Sequence, residues 1–320
     1  MPLLRGLGIW YRSYGKANQE QVDKDSVIDC KYNSEGGCRM KINIKRNMFP
    51  GGKTKVLTMS YDDGVTQDEK LIDIFDKYSI KGTFNLNSGY FGQVDEIIVR
   101  GDKTNHSHIP AEKIKDIYLN HEVAIHTFTH PHLTELTKEM LTYEVIEDKK
   151  NLEELVGYPV RGMAYPYGTY NDRIIQNLKE LNIEYARNVI TTNKFGLPKD
   201  FLAWDGTCHH NNENLLKLAK DFIQSEKRDQ LSLFYVWGHS YEFDVYNNWT
   251  IIEEFCELVG NNSNVWYATN IEIVDYINSQ NLLKFSCTGP SVYNPSGVDV
   301  WISVDGKAIE VKKGCIVKLK

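Results

Sequence analysis

Leu57-Thr58-Met59-Ser60-Tyr61 is a mainly apolar run that stops at two adjacent carboxylates and a glycine, Asp62-Asp63-Gly64. A short run of this kind, closed by a turn signal, predicts a buried strand. From Val56 onward the chain repeats that rhythm, strand then helix. The first strand runs to Tyr61. Thr66-Gln67-Asp68-Glu69 reads as a capping box opening a helix with Leu71, Ile72, Phe75 and Tyr78 on one face. Further strands are predicted at 82–86, 122–125, 160–165, 185–189, 231–237 and 265–268. Helices are predicted at 111–120, 136–156, 171–181, 212–225, 250–259 and 271–278, with Gly157 placed to stop the longest. Seven strands alternating with helices predict a parallel sheet, closed or nearly closed into a TIM-like (β/α) barrel. An open doubly wound sheet is the competitor. No Gly-x-Gly-x-x-Gly follows a strand, which counts against nucleotide binding.

The flanks break the rhythm. Residues 1–39 are polar and aperiodic and predict a loosely ordered N-terminal extension. Met40-Lys41-Ile42-Asn43-Ile44 alternates as an edge strand does, and Met40 is an alternative start. After Leu283 the helical pattern ends. Val298-Asp299-Val300-Trp301-Ile302, a turn at Asp305-Gly306 and Ile316-Val317-Lys318-Leu319 predict a small β appendage. The expected organisation is therefore 1–39 extension, 40–283 barrel and 284–320 appendage, the last a strap on the barrel exterior or a carbohydrate-binding addition.

Bulk properties narrow the partners. The 320 residues, 41% of them hydrophobic, suffice for one large core. A net charge of -6 without a long basic run argues against nucleic acid and anionic membrane surfaces. No stretch approaches the roughly 20 apolar residues that span a bilayer. Met1-Pro2-Leu3-Leu4-Arg5 lacks the apolar segment of a secretory signal, which predicts a cytoplasmic protein, or a secreted or wall-associated one if a leader has been removed. Cys30, Cys38, Cys208, Cys256, Cys287 and Cys315 are scattered, with no Cys-x-x-Cys, so neither a disulfide framework nor a thiolate zinc site is indicated. Oligomeric state is not legible. The 19 tyrosines and 6 tryptophans suit a sugar-binding cleft and equally an aromatic core.

The chemistry lies at strand ends. Two anionic side chains beside a core are costly unless a cation or a proton is shared there. Asp62 and Asp63 point in opposite directions on an extended chain, so they divide two tasks, one facing a metal and one a reacting group. Taken alone, the Asp-Asp-Gly favours the plainer reading, a strand-to-loop turn with solvated acids. His126-Thr127-Phe128-Thr129-His130 follows the third strand; a spacing of four places both imidazoles on one side of a helical turn, where they can grip one ion. Such pairs also occur on solvated helices, but parallel barrels gather their strand ends at one mouth. Asp63, His126 and His130 would give three ligands with room for water, the pattern of a catalytic site. His239 ends the sixth strand in Trp237-Gly238-His239-Ser240 and suits a general acid.

Ser60-Tyr61-Asp62-Asp63-Gly64, His126-Thr127-Phe128-Thr129-His130, Tyr165-Pro166-Tyr167-Gly168 and the strand ending in His239 resemble the successive motifs of the polysaccharide deacetylase family. Gly82-Thr83-Phe84 and His121-Glu122-Val123 also fit, over about residues 54–280. The resemblance implies a distorted (β/α)7 barrel and a metal-dependent hydrolase. Such an enzyme removes acetyl from N-acetylated sugars of a poly- or oligosaccharide, or in some branches from O-acetylated xylan. It implies a divalent cation, zinc first, with cobalt, nickel or manganese as alternatives. Asp63, His126 and His130 would be its ligands, Asp62 the general base and His239 the acid for the leaving amine. The backbone N–H of Tyr167 would help the metal hold the oxyanion. Many members orient the base with an arginine where this chain has Ala164; Arg161 points to the other face of that strand, so Arg187 is the expected stand-in. Trp204-Asp205 corresponds to a tryptophan-aspartate element, giving Asp205 the task of tuning His239. Tyr165, Tyr167, Trp204, Trp237, Tyr241 and Trp249 are candidates to stack on sugar rings. Cys208-His209-His210 reads as mouth loop or as a second metal site, and His106, His108 and His132 as solvated or packed behind the ligands. Two other readings stay open: a non-catalytic carbohydrate-binding protein, and a metal-dependent deacylase of another ester or small molecule.

Overall fold

The computed structural model describes residues 43–46, 48–99, 101–226, 230–287 and 289–319. The expected extension 1–39 and the first three residues of the 40–44 strand lie outside them. Nine strands form the central sheet: β1 (Lys55–Asp63), β2 (Gly82–Leu86), β3 (Glu122–Ile125), β4 (Gly162–Ala164), β5 (Tyr185–Thr191), β6 (Trp204–Gly206), β7 (Cys208–His209), β8 (Ser232–His239) and β9 (Val265–Tyr267). Their order is β7-β8-β1-β2-β3-β4-β5-β6, with β9 pairing β1 beside the start of β2. Every ladder is parallel.

The ring closes through one short segment. β6 pairs with β5, β7 pairs with β8, and Thr207 alone joins them, its N–H donating to Tyr235 O at 2.8 Å. The barrel is therefore closed, and the open-sheet alternative does not apply. β6 and β7 went unpredicted, because Asp205-Gly206-Thr207 carries turn-type residues and no apolar run.

All nine residues of β1 are buried, as expected for a strand covered on both faces. Its alternation still sorts two cores. Leu57, Met59 and Tyr61 face the helices with Phe75, Phe84 and Phe234. Val56 faces the interior with Ala124, Tyr185, Trp204, Leu233, Tyr235 and Trp237. Inside, Glu122 accepts from Thr83 Oγ1, Tyr185 Oη and Ile271 N at 2.7–3.0 Å, and burial lifts its carboxyl to about 7.

The helices follow the predicted places with shifted ends. Lys138–Val156 starts at Thr137, whose side chain accepts from Met140 N–H, and stops at Gly157 with φ 79°. The capping box predicted at Thr66 does not form. Helix Asp68–Lys77 has Gln67 as N-cap without a side-chain cap bond, because Gln67 Nε2 donates instead to Asn105 O and Asp244 Oδ2. A capping box does open helix Asn270–Leu282, through Thr269 and Glu272.

Beyond Leu283, strands Val300–Val304 and Lys307–Val311 form a hairpin through Asp305 and Gly306, both with positive φ (49° and 79°) as an Asp-Gly turn requires. Ile44–Lys45 adds to it antiparallel. Lys284–Phe285, Ser291–Tyr293 and Ile316–Lys318 make a second small sheet. Leu283, Val292, Val300, Ile302, Val304, Val311 and Leu319 share one core. Tyr276 ties it to the barrel, receiving Trp301 N–H and donating to Met48 O. Among the described residues no helix is long and apolar enough to cross a membrane.

Candidate active site

The parallel ladders carry His239, Asp62 and Asn85 at one level: His239 pairs in register with Asp62, and Asp62 with Asn85. Two strands on from Asn85, Ala164 of β4 pairs with Arg187 of β5. Ala124 and Ala164 are small, and the fully buried Arg187 fills the barrel beside them. Its Nη2 donates to Asp62 Oδ2, and its guanidinium lies 4.8 Å from the Trp237 ring centroid. Asn85 Nδ2 donates to Asp62 Oδ1 at 2.8 Å. Burial alone would raise Asp62; Arg187, then His126 and His239, outweigh it and hold the carboxyl below its ordinary value. Arg187 thus stands one strand over from Ala164. The Ala164 carbonyl has its own use, 2.9 Å from His126 Nδ1.

Asp63 leaves the strand with φ 80°, which turns its carboxylate to the mouth. Its Oδ1 lies 3.6 Å from His126 Nε2 and 4.0 Å from His130 Nε2. All three donor atoms fall within 4.8 Å of one another. Ligands about 2.1 Å from a tetrahedral ion sit roughly 3.4 Å apart, so this donor set fits a zinc-like cation. With Nδ1 of His126 turned to a carbonyl, Nε2 is left to bind. Burial and the neighbouring His126 lower His130 to about 4, keeping it neutral as a ligand must be.

The segment carrying both imidazoles is not the helical turn expected from their spacing. Thr127 (φ 68°) and His130 (φ 54°) have left-handed backbone, at about 1 kcal/mol or more each. Helix Lys138–Val156 braces it. Asp148 accepts from His126 N–H at 3.1 Å and Ser88 N–H at 2.8 Å, and Glu144 accepts from Thr129 N–H and Oγ1 at 2.8 and 2.6 Å. Burial lifts Asp148 to about 7.

His239 Nε2 lies 3.8 Å from Asp62 Oδ2. The carboxylate behind it is Glu242, 3.5 Å from Nδ1, and not Asp205, which accepts from Asn188 Nδ2 at 2.7 Å. Glu242 also lies 3.1 Å from His209 Nε2 and 2.9 Å from His210 Nε2. Asn211 N–H donates to His209 Nδ1, which leaves the proton on Nε2. With its proton on Nε2, toward Glu242, His209 does not offer that nitrogen to an ion in this arrangement, and Cys208 is buried in the outer core. Burial would lower His239, but Glu242, Asp63 and Asp62 raise it to about 9. Glu242 was missed, although it stands three residues after His239, at helical spacing.

Of the expected sugar-stacking rings, Tyr165 and Trp204 are fully buried. Tyr165 faces the helices, stacked on Tyr170 and donating to Leu202 O, because its neighbour Ala164 takes the inward position. Trp204 packs between Tyr185 and Tyr235. Trp237 lies beneath Arg187, and Trp249 is covered by Lys70 and Phe243. Tyr167 and Tyr241 do reach the mouth. Tyr167 is exposed, has φ 56°, and stacks on His132 at 3.8 Å beside His130; Tyr241 lies between His106 and His239. His106 approaches Asp63, and His108 packs behind it.

The closed parallel (β/α) barrel gathers at its C-terminal mouth a carboxylate–imidazole triad that could hold a cation, with a second carboxylate and a third imidazole beside it. Residues 50–186 match the model of the polysaccharide deacetylase family. The chain is 30% identical over 141 residues to chitin deacetylase 1 of Cryptococcus neoformans var. grubii, covering 43% of this chain and 26% of that protein. It is 27% identical over 132 residues to a chitin deacetylase of Arthroderma benhamiae, covering 39% and 31%. The chain thus spans under a third of the length of these relatives. A crystal structure from Mycobacterium smegmatis, named for a polysaccharide deacetylase, superposes with TM-score 0.52 at 17% identity, covering 73% of this chain and 93% of that one; it supports the fold.

Proposed function

We propose that the protein is a metal-dependent deacetylase, releasing acetate from N-acetylated sugars of a poly- or oligosaccharide. The observation that carries the reading is that Asp62 Oδ2 lies 3.9 Å from His126 Nε2 of the Asp63–His126–His130 triad and 3.8 Å from His239 Nε2. Pure binding needs neither Asp62 nor His239. A divalent cation held by the triad, zinc first, would supply Lewis acidity, making a water acidic near neutral pH and polarising the acetyl carbonyl.

The chain's own residues do the rest. Asp62, kept ionised by Arg187, takes a proton from the attacking water as its oxygen bonds to the acetyl carbon. The backbone N–H of Tyr167 is our choice of donor to the developing oxyanion. His239 gives its Nε2 proton to the nitrogen as the C–N bond breaks, so amine and acetate leave together. The protonated Asp62 and the depleted His239 then face each other across 3.8 Å, a short path for resetting both.

The test is acetate release from chitin oligosaccharides, peptidoglycan and acetylated xylan, with and without chelator. Asp62→Asn should lose about 10²–10⁴-fold in turnover and keep its metal. His126→Ala should lose the metal. Near-full activity in Asp62→Asn overturns the base assignment. Absence of chelator-sensitive turnover on every substrate overturns the enzyme reading in favour of carbohydrate binding.

A further inference from the structure

Residues 93–109 have no part in the chemistry above, yet the stretch ends against the cation ligands. Residues 105–109 lie antiparallel along the turn that follows Asp63. Val65 and His108 form a bridge, Thr66 N–H donates to Ser107 O at 2.9 Å, and Ile109 N–H donates to Gly64 O at 3.0 Å. Gln67 Nε2 adds a bond to Asn105 O at 2.8 Å, and Asn105 Nδ2 one to Thr66 Oγ1 at 3.1 Å. Gly64 has φ 71°, and a Cβ there would sit 2.9 Å from Leu86 Cδ2. The backbone after Asp63 is thus clamped, and the clamp delivers His106 to the far side of its carboxylate.

The two oxygens of Asp63 then have separate neighbours. Oδ1 faces His126 and His130, and Oδ2 faces His106 Nε2 at 3.6 Å. The His106 ring is held edge-on by Tyr241, centroids 4.8 Å apart, and by His108 at 5.1 Å. Its side chain is 17% exposed.

We propose that His106 is a positioning residue for the ligand Asp63: its Nε2, 3.6 Å from Oδ2, engages that oxygen electrostatically, so that Oδ1 is the oxygen presented to the cation. A carboxylate free to turn about its last bond can offer either oxygen or both. Two-oxygen binding would fill the coordination position that a water needs. An imidazole beside one oxygen restricts that freedom and favours the one-oxygen mode. The inference rests on the triad as the cation site, and not on which acyl substrate is cleaved.

The experiment is zinc affinity of the full-length chain, measured by competition with a chelating dye, beside thermal unfolding of the metal-free protein. His106→Ala should weaken zinc about 10–100-fold. His106→Gln, which keeps a side-chain N–H, should recover much of that. The metal-free melting temperatures of both should match wild type, since the role is toward the cation. Equal zinc affinity in His106→Ala and wild type overturns the proposal, as does a loss shared equally by Ala and Gln together with a fall in metal-free stability. Wild-type protein that binds no more zinc than His126→Ala overturns the cation site itself, a result separable from the other two.

Discussion

Replacing Arg187 by Met is the sharpest probe of the barrel's polar layer. Arg187 is fully buried and Asp62 is 3% exposed, so the substitution strands a carboxylate in the interior with Asn85 as its remaining amide donor. Removing one partner of a buried ion pair costs about 3–5 kcal/mol, or on the order of 10 °C in melting temperature. The pH dependence gives the sign. In the wild type Asp62 is held below its unfolded value, so its contribution is present above about pH 4 and lost as pH falls through the folded value. In Arg187→Met, burial is no longer opposed by the guanidinium, the folded value rises, and the deficit grows with pH instead. Asp62→Asn/Arg187→Met removes both charges, so it should be more stable than Arg187→Met alone. Urea unfolding of the four proteins between pH 4 and 8 reads every term. A deficit under about 1 kcal/mol in Arg187→Met, or strict additivity in the double variant, would refute the reasoning.

Glu242→Gln tests the acid. His239 is raised to about 9, above its ordinary value near 6.5, so its protonated form persists below pH 9 and is lost as pH rises through it. Without the Glu242 charge, the basic limb of the turnover profile should move down in pH while metal content is unchanged; an unmoved limb excludes Glu242 as the partner. Asp205→Asn should leave that limb in place, because Asp205 faces Asn188, and the same pH profile checks it. Gly162→Ala should destabilise by more than about 3 kcal/mol in urea unfolding, since its Cβ would fall 1.9 Å from the buried Tyr185 ring.

The barrel was legible because its main strands are short apolar runs bounded by turn residues, and 82–86 and 122–125 were placed to the residue. β6 and β7 were not, since three and two residues pair only through neighbours that are distant in sequence. In the site, strand-end polar residues were visible against apolar strands, which is why Asp62, Asp63 and His239 stood out. The ligand-bearing segment was misread as helical because a spacing of four suits a helix, while its true path depends on Asp148 and Glu144 of a later helix. Tyr165 and Trp204 were misassigned because composition cannot tell an inward ring from an outward one. Glu242 and His106 gain their meaning from what lies across the mouth, and nothing in local spacing announces that.

The single-residue join at Thr207 has a mechanical consequence. His239, at the end of β8, stands on the strand next to this join, whereas Asp63 and His126 lie at the ends of β1 and β3, at least two strands away. A substitution that loosens Thr207 would therefore reach His209, His239 and Glu242 before it reaches Asp63, His126 and His130.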